Sequence, residues 1–192
     1  VIIGYSNGNI DLLDGDKGFN IPDIKFSTVI GDKAIYDIYP FGDRVYLSTG
    51  FGIVVIDMIR KEVKETYFIG PNGGPVKVND IAVYNNTLYA VTETGLKTAS
   101  LANPFLANFQ NWSTFENVPG DSTVKHIEFF DNQMVLAVPG IEADTVWSKP
   151  IDSNDWVSRY TLPNFRINQI WSNNEWLTVS GDYGYWFCHF NF

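Results

Sequence analysis

Two aspartates at matched positions are the first residues of this chain that could do chemistry. Asp37 in the segment IYDI and Asp80 in VNDI stand 43 residues apart, and each precedes an isoleucine in an apolar pattern typical of a strand. A pair of carboxylates that flanks a sugar ring can supply the acid and base of glycoside hydrolysis. Because the two aspartates recur at the same position of successive repeats, they are also predicted to form a structural hydrogen bond in each repeat, and we favour this role.

The two histidines are further titratable candidates. His126 occupies in VKHI the position that Asp37 and Asp80 hold in their segments, whereas His189 lies in the apolar run YWFCHF. A Ser-His-Asp triad or a histidine-based metal site needs more support than two isolated residues give. We interpret His126 as a hydrogen-bonded structural residue and His189 as part of the packing of the last strand.

An acidic segment near the start, DLLDGDKG, places Asp11, Asp14 and Asp16 close together. Calcium binds to such groups of oxygen ligands, but the EF-hand pattern requires further ligands and a distal glutamate. Asp-Gly is also a frequent hairpin turn, and the sequence favours the turn. We therefore assign no catalytic, cofactor-binding or metal-binding residue and expect no cofactor, while the ligand-binding residues stay unknown.

Segment 70–75, GPNGGP, is rich in glycine but lacks the Gly-Lys-Ser/Thr ending of a phosphate-binding loop. It connects the last strand of one predicted repeat to the first strand of the next. Loops at such positions can carry binding residues, so a plain linker and a ligand-binding loop both remain open.

These candidates are distributed over a repeat of about 44 residues. Glycines recur at gaps of 44, 43, 45 and 44 residues, at Gly8, Gly52, Gly95, Gly140 and Gly184. Isoleucines that lie 13 or 14 residues before the last four glycines keep the same phase, at Ile38, Ile81, Ile127 and Ile170. A period in the forties with several short strands per repeat predicts an all-β fold, the β-propeller.

Each complete repeat is predicted to form a blade of four antiparallel strands, and the polar pairs Asn85-Asn86 and Asp131-Asn132 predict the turns between the first and second strands of two blades. The run from Ile53 to Ile56 is apolar on both faces and indicates a buried middle strand, whereas KEVKETYFI alternates and indicates an outer strand. The outer strand of the second complete repeat is predicted at 109–115, FQNWSTF. Trp112 in this strand and Trp156 in the next repeat stand 44 residues apart near the start of their outer strands, where we expect them to pack the strand on its blade. The predicted blades are 33–70, 76–118 and 122–163, with a blade remnant at 1–24 and a partial blade at 165–192.

The two incomplete blades predict an open arc. In a closed four-bladed ring, the fragments at the two ends of the chain would together form one blade of four strands. The chain instead has three strands of a preceding blade and three of a following one, which is six. We therefore expect three complete blades plus two partial ones from a larger ring, seven-bladed in the intact protein, and a chain that is the interior of a longer protein. Uncovered blade faces also predict self-association.

Composition argues against several classes of function. The chain is 45% hydrophobic and carries a net charge of −9, and its densest basic segment, RKEVKE, is interrupted by acids. Nucleic-acid binding requires clustered lysine and arginine, so it is not predicted. No apolar run reaches the roughly 20 residues of a membrane-spanning helix, so direct membrane insertion is not predicted either. Cys188 is the single cysteine, which excludes a disulfide framework.

Two short segments resemble motifs of known propellers. SGDYGYW, residues 180–186, resembles the Asp-box of sialidase-like propellers, but its tryptophan comes one residue early and in the wrong turn, so we interpret it as chance. LYAVTETGL resembles the Trp-x-Gly-Thr-x-x-Gly-Leu signature of two-component-regulator propeller repeats, with Tyr89 in place of the tryptophan and Val91 in place of the first glycine.

A wider resemblance covers most of the chain. The segments that carry it are GYSNGNIDLL, VYLSTGFGIVVIDM, KEVKETYFIG, VNDIAVYNNTLYAVTETGLKTASL and NFQNWSTF. Together they resemble the first propeller of PorZ-like proteins of the type IX secretion system. The resemblance implies two seven-bladed propellers and a C-terminal sorting domain, of which this chain spans part of the first ring. It also implies an attachment complex at the cell surface, an anionic lipopolysaccharide as ligand, and no catalysis by this propeller.

Three hypotheses of function follow. The first is a non-catalytic binding or scaffold propeller of an exported bacterial envelope protein, in the periplasm or on the outer-membrane surface, with protein partners of a secretion complex or a surface polysaccharide. The second is the extracellular ligand-sensing propeller of a two-component regulator. The third is a carbohydrate-active propeller enzyme, which we rank last because its candidate residues recur in phase.

Overall fold

The structure, a computed structural model, describes residues 1–119, 123–161, 165–173, 175–182 and 184–188. Within these residues every sheet is antiparallel, and its strands follow one another in chain order. Three sheets have four strands and two have three, the numbers predicted for whole and partial blades. The predicted all-β class is confirmed. His189 lies outside the described residues, and Cys188 is described only as backbone of the last strand.

The chain divides into two compact units, Val1–Ser113 and Thr114–Phe192. The strands of the first unit form three sheets. The first sheet consists of β1 (Ile2–Gly4), β2 (Ile10–Asp14) and β3 (Lys17–Ile21), and the second of β4 (Ile35–Phe41), β5 (Arg44–Thr49), β6 (Gly52–Asp57) and β7 (Glu62–Tyr67). The third consists of β8 (Val78–Tyr84), β9 (Thr87–Thr92), β10 (Gly95–Ser100) and β11 (Ser113–Thr114), of which Thr114 is the first residue of the second unit. The short helices of the first unit are α1 (Asp23–Phe26) and two 3-10 turns, Pro71–Gly73 and Phe109–Asn111.

The second unit holds two sheets. Their strands are β12 (His126–Phe130), β13 (Gln133–Val138), β14 (Thr145–Pro150) and β15 (Val157–Thr161), followed by β16 (Ile167–Ser172), β17 (Leu177–Gly181) and β18 (Gly184–Cys188). Among the described residues of the chain, no helix is long and apolar enough to cross a membrane.

The middle strands of the second sheet are buried on both faces, as predicted from their apolar run. Val54 packs in a cluster with Ile10 of the first sheet, whereas Val55 packs in a second cluster with Ile81 of the third sheet. Residues 53–56 are at most 1% exposed. Burial of each such side chain stabilises the folded state by about 1.5–3 kcal/mol. Because successive side chains point to opposite faces of the sheet, one strand stabilises the contacts with both neighbouring sheets.

The charged strand β7 lies at the edge of its sheet, also as predicted. Its side chains alternate, with Glu62 and Lys64 exposed and Val63 half-buried between them. Exposed lysine and glutamate on an edge strand disfavour pairing with another chain.

The outer strand predicted at 109–115 is wrong for most of its length. Residues Phe109–Asn111 form a 3-10 turn, and only Ser113–Thr114 pair with β10. The reason is local, because the Asn108 side chain accepts a hydrogen bond from the Gln110 N–H at 3.1 Å and thereby caps the turn. Trp112 follows at 8% exposure and donates its indole N–H to the Leu106 carbonyl at 2.9 Å.

The two tight turns predicted from paired polar residues are confirmed. Asn85 and Asn86 both have positive φ angles, 45° and 59°, and so do Asp131 and Asn132, at 46° and 57°. Two consecutive residues in this region form the hairpin turn whose twist matches the strands it connects, and asparagine and aspartate tolerate the conformation best.

The repeated glycine belongs to a turn that a threonine closes. The Thr49 hydroxyl donates to the Gly52 carbonyl at 2.8 Å, and the Thr92 hydroxyl donates to the Gly95 carbonyl at 2.6 Å. Both glycines have positive φ angles, 151° and 116°. The Thr-x-x-Gly part of the propeller signature is therefore a structural element, since it joins the second strand of a blade to the third.

Candidate functional site

Three first strands carry a β-bulge at the same place. The register of β4 passes from Ile35 to Asp37, so that Tyr36 is left over in the pairing with β5. The same shift leaves over Asn79 in β8 and Asn168 in β16. A bulge turns the extra side chain away from the regular alternation, and bulges are frequent beside binding sites. Each of these strands therefore presents a polar side chain at its beginning.

In the first unit, the bulge residue Tyr36 is the centre of a polar group that we call the Tyr36 cluster, which consists of Asp32, Tyr36, Lys77 and Glu93. The Tyr36 hydroxyl donates a short hydrogen bond to the Asp32 carboxylate. The Lys77 ammonium lies 3.8 Å from the centroid of the Tyr36 ring, within the range of a cation–π interaction. The backbone N–H of Glu93 donates to the Lys77 carbonyl at 3.1 Å, which fixes the β9–β10 turn beside β8.

The hydrogen bond between Tyr36 and Asp32 shifts the pKa values of the two groups in opposite directions. The hydrogen bond to Asp32, followed by partial burial and the negative charge of Asp32, raises the pKa of Tyr36 to about 12. The same hydroxyl, together with the Ala34 N–H, lowers the pKa of the Asp32 carboxyl. Tyr36 is nevertheless 41% exposed, so the cluster offers an aromatic edge, an ammonium and carboxylates to solvent.

We expect replacement of Asp32 by alanine to lower the Tyr36 pKa from about 12 towards its ordinary value, because the main cause of the shift is removed. The raised pKa contributes stability that is complete below the ordinary tyrosine value of about 10 and is lost as pH rises through the folded value. Titration of ring-labelled tyrosine by NMR measures the shift. Asp43→Ala, an exposed aspartate in the β4–β5 turn, is the control, and an unchanged Tyr36 titration in Asp32→Ala would contradict the assignment.

In the second unit, a buried carboxylate organises the equivalent region. Asp144 is 1% exposed and accepts hydrogen bonds from Arg166 Nη1 at 2.9 Å and from the Ile167 N–H at 2.8 Å. The Lys125 ammonium lies 3.5 Å from the same carboxylate. Arg166 also donates to the carbonyls of Gly140 and Ile141, each at 2.7 Å. We call these residues the Asp144 network, which ties the β13–β14 loop to the start of β16.

The predicted carboxylate pair lies directly after the bulges. Asp80 is 6% exposed and accepts a hydrogen bond from the adjacent Ile81 N–H at 2.8 Å, while Asp37 is half-buried. His126 in β12 is 8% exposed and pairs with Ala137. Burial at a repeated register position supports the structural interpretation of these residues.

The three aspartates of the acidic segment do not converge. Asp11 accepts hydrogen bonds from Tyr5 at 2.8 Å and Asn20 at 2.7 Å, whereas Asp14 forms an ion pair with Lys61 at 2.9 Å. Asp16 belongs to the β2–β3 turn. Within the described residues, no group of three histidine, cysteine, aspartate or glutamate side chains is arranged to hold a metal ion.

The glycine-rich segment 70–75 is a tight, internally bonded connection between β7 and β8. The Gly70 N–H donates to the Gly74 carbonyl, and the Gly73 N–H donates to the Gly70 carbonyl, both at 3.0 Å. A Cβ on Gly73 would lie 2.8 Å from the Phe109 ring, so glycine permits close packing here. These contacts give the glycines a structural role, and ligand binding by the loop stays a prediction.

The segment 180–186 begins in β17, which ends at Gly181, and ends in β18, which begins at Gly184, so it joins a second strand to a third, as the sequence predicted. Asn168, the bulge residue of β16, donates to the Asp182 carboxylate at 3.1 Å. Tyr183 lies outside the described residues.

The Tyr36 cluster and the Asp144 network were not predicted from the sequence. One signal in the sequence could have indicated these groups, namely a polar residue at the second position of the segments IYDI, VNDI, VKHI and INQI. These residues are Tyr36, Asn79, Lys125 and Asn168. The partners of Tyr36, Lys125 and Asn168 come from connecting loops, which the repeat does not specify. The chemistry of both groups is hydrogen bonding, ion pairing and aromatic contact, which suits binding.

Comparison with known proteins identifies the repeat. The family model described as the N-terminal β-propeller domain of PorZ, of the type IX secretion system, matches residues 1–113. No curated protein matches the chain in sequence.

Solved structures share the fold over the whole chain. PorZ from Porphyromonas gingivalis, described as an essential bacterial surface component of the type IX secretion system, is 22% identical over 99% of this chain, with a TM-score of 0.80. The chain spans 24% of that PorZ chain. The extracellular domain of BT4673 from B. thetaiotaomicron, described as a hybrid two-component system, is 15% identical over 99% of this chain and 30% of its own, with a TM-score of 0.60. These likenesses establish the β-propeller fold, and because the family model covers more than half of the chain, the chain belongs to the family of PorZ N-terminal β-propeller domains.

Proposed function

We propose that the chain is part of a non-catalytic binding and scaffold propeller of an exported bacterial envelope protein, similar to PorZ. The observation that carries this proposal is the family match over residues 1–113. The intact ring in this proposal has seven blades, of which 33–70, 76–118 and 122–163 are three. Its location is the periplasm or the outer-membrane surface, which agrees with the descriptions of the structural relatives as a surface component and an extracellular domain.

The partners in this proposal are proteins of a secretion complex or a surface polysaccharide, and the Tyr36 cluster is one contact surface. An exposed phenol ring beside an ammonium and two carboxylates combines apolar area with hydrogen-bonding groups, which is typical of residues that dominate recognition surfaces. The net charge of −9 disfavours nucleic acid as a partner.

Self-association is a further part of the proposal. The first sheet exposes apolar side chains, with Val1 at 81%, Ile3 at 38% and Leu13 at 46% exposure. Apolar side chains of this kind favour contact with another blade or another copy. Sedimentation velocity should show a species larger than one chain, and a single monomeric species at all concentrations would contradict this part.

The alternative is the ligand-sensing propeller of a two-component regulator. The fold likeness to the extracellular domain of BT4673 favours it, although at 15% identity that likeness concerns the fold. The domains encoded by the full-length gene distinguish the two proposals, because a sensor requires a signalling domain in the same polypeptide and a secretion component does not.

Cross-linking on intact cells tests the first proposal. We expect added protease to degrade the tagged gene product on whole cells if it lies on the outer-membrane surface, and only in osmotically opened cells if it lies in the periplasm. We also expect it to capture proteins of the secretion machinery or lipopolysaccharide. The double variant Tyr36→Ala/Lys77→Ala should reduce capture about tenfold or more, because it removes the ring and the cation of the cluster.

The matched control is Lys64→Ala, an exposed lysine on the edge strand β7. It should leave capture unchanged, since it removes one surface cation elsewhere on the same unit. Protection of the protein from protease in whole and in osmotically opened cells would reject the envelope location. Equal capture by the double variant and the control would reject the Tyr36 cluster as the contact surface.

A further inference from the structure

A cavity of about 170 Å³ lies in the first unit, where the chain passes from β3 to β4. One wall comes from the connecting segment, through Ile24 and Val29. The opposite wall comes from the second sheet, through Phe51, Val54 and Val63. None of the four residues of the Tyr36 cluster lines this cavity, so a ligand there would be independent of the function proposed above.

The size and lining of the cavity decide which molecules fit. Ile24, Phe51 and Val54 are at most 3% exposed, so the two walls of the cavity are apolar and shielded from water. An apolar cavity of about 150 Å³ holds one benzene ring and stays dry when empty. The cavity here is therefore large enough for one aromatic ring or a short branched alkyl chain, and too small for a larger ligand.

A carboxylate at the cavity determines which charge a ligand should carry. Asp23, the first residue of α1, lines the cavity and is exposed. No lysine or arginine among the described residues lies within ion-pair distance of Asp23, as the described ion pairs all involve other acids. The Ser27 hydroxyl donates to the Ile24 carbonyl at 2.7 Å, so it can only accept from a ligand. Thr66, the third polar side chain at the cavity, can donate or accept, so the preference comes from Asp23 and Ser27, which together favour a hydrogen-bond donor with positive charge.

We propose that this cavity is a binding site for a small cationic amphiphile, in which an apolar ring or short chain lies between Ile24, Val54 and Val63 and an ammonium group pairs with Asp23. The net charge of −9 concentrates such cations near the surface and adds to the local attraction. A ligand of about eight non-hydrogen atoms is expected to bind with a dissociation constant of about 1 mM.

Titration with benzylamine, followed by NMR of labelled isoleucine and valine methyl groups, tests the site. We expect saturable shifts of the Ile24, Val54 and Val63 methyls and none of Val135 in the second unit. Benzyl alcohol, a neutral molecule of the same shape, should bind about two- to fivefold more weakly, because an exposed ion pair contributes little. The Asp23→Asn variant should bind both probes equally.

A pair of adjacent substitutions separates the cavity from the surface around it. Val29→Phe places a ring inside the cavity and should abolish binding of both probes, whereas Ile30→Phe changes a residue that is 88% exposed and should bind as the unchanged chain does. If Val29→Phe does not fold, the comparison of the two probes in Asp23→Asn still decides the proposal. Methyl shifts that do not saturate would overturn the site, and equal binding of the two probes by the unchanged chain would overturn the role of Asp23.

Discussion

Replacement of Gly52 by alanine should destabilise the first unit by about 3–5 kcal/mol. A Cβ at Gly52 would lie 2.3 Å from the Tyr67 carbonyl oxygen, which is backbone of the neighbouring strand β7. The φ angle of 151° is in addition one that residues with a side chain rarely adopt. The variant can relieve the contact only by moving β7, which pairs with β6 along five residues.

Gly95→Ala is the matched control for this prediction. Gly95 occupies the same place in the next repeat, has a φ angle of 116°, and accepts the corresponding threonine hydrogen bond. A Cβ there would meet nothing within 4 Å, so only the backbone strain remains, which costs about 1–3 kcal/mol. Urea unfolding, with hydrogen exchange of the β6 and β7 amides, measures both losses. Equal losses in the two variants would show that the contact with Tyr67 does not matter.

The repeat explains why most of the fold could be predicted from the sequence. A glycine and an isoleucine that keep one phase mark the third and first strands of each blade, and alternation of apolar residues marks which strands are buried. These signals depend only on short-range spacing and burial. The same signals failed at 109–115, where the Asn108 cap and the Trp112 indole bond favour a 3-10 turn over an extended strand.

The candidate site could not be predicted in the same way. Tyr36 is turned towards Asp32 and Lys77 by a bulge, and one extra residue in a strand does not disturb the apolar pattern enough to be seen. Asp144 follows an unremarkable loop, and its partners Lys125 and Arg166 lie 19 and 22 residues away. Contacts of this kind depend on how neighbouring blades meet, which periodicity does not specify.

The Asp144 network should give the second large effect, because it combines burial with charge. Asp144→Asn keeps the size of the side chain but removes its charge, and we expect a loss of about 2–3 kcal/mol of unfolding free energy in the second unit. The Arg166 and Lys125 side chains are 41% and 33% exposed, so water compensates part of the loss and keeps it below that of a fully buried pair. Chemical unfolding followed by exchange of the Ile167 amide, which donates to this carboxylate, measures the loss.

Two comparisons distinguish the network from a general effect of charge. Glu142→Gln removes an exposed carboxylate from the same loop and should change stability by less than about 0.5 kcal/mol. The double variant Asp144→Asn/Arg166→Gln should lose less unfolding free energy than the sum of the losses of the two single variants. Each single variant leaves one charge without its partner, whereas the double variant removes both charges. Additive losses would show that Asp144 and Arg166 act separately. A coupled loss would mean that the β13–β14 loop, with Ile141 at 98% exposure, is held in place by one buried carboxylate and is therefore preorganised for contact with a partner.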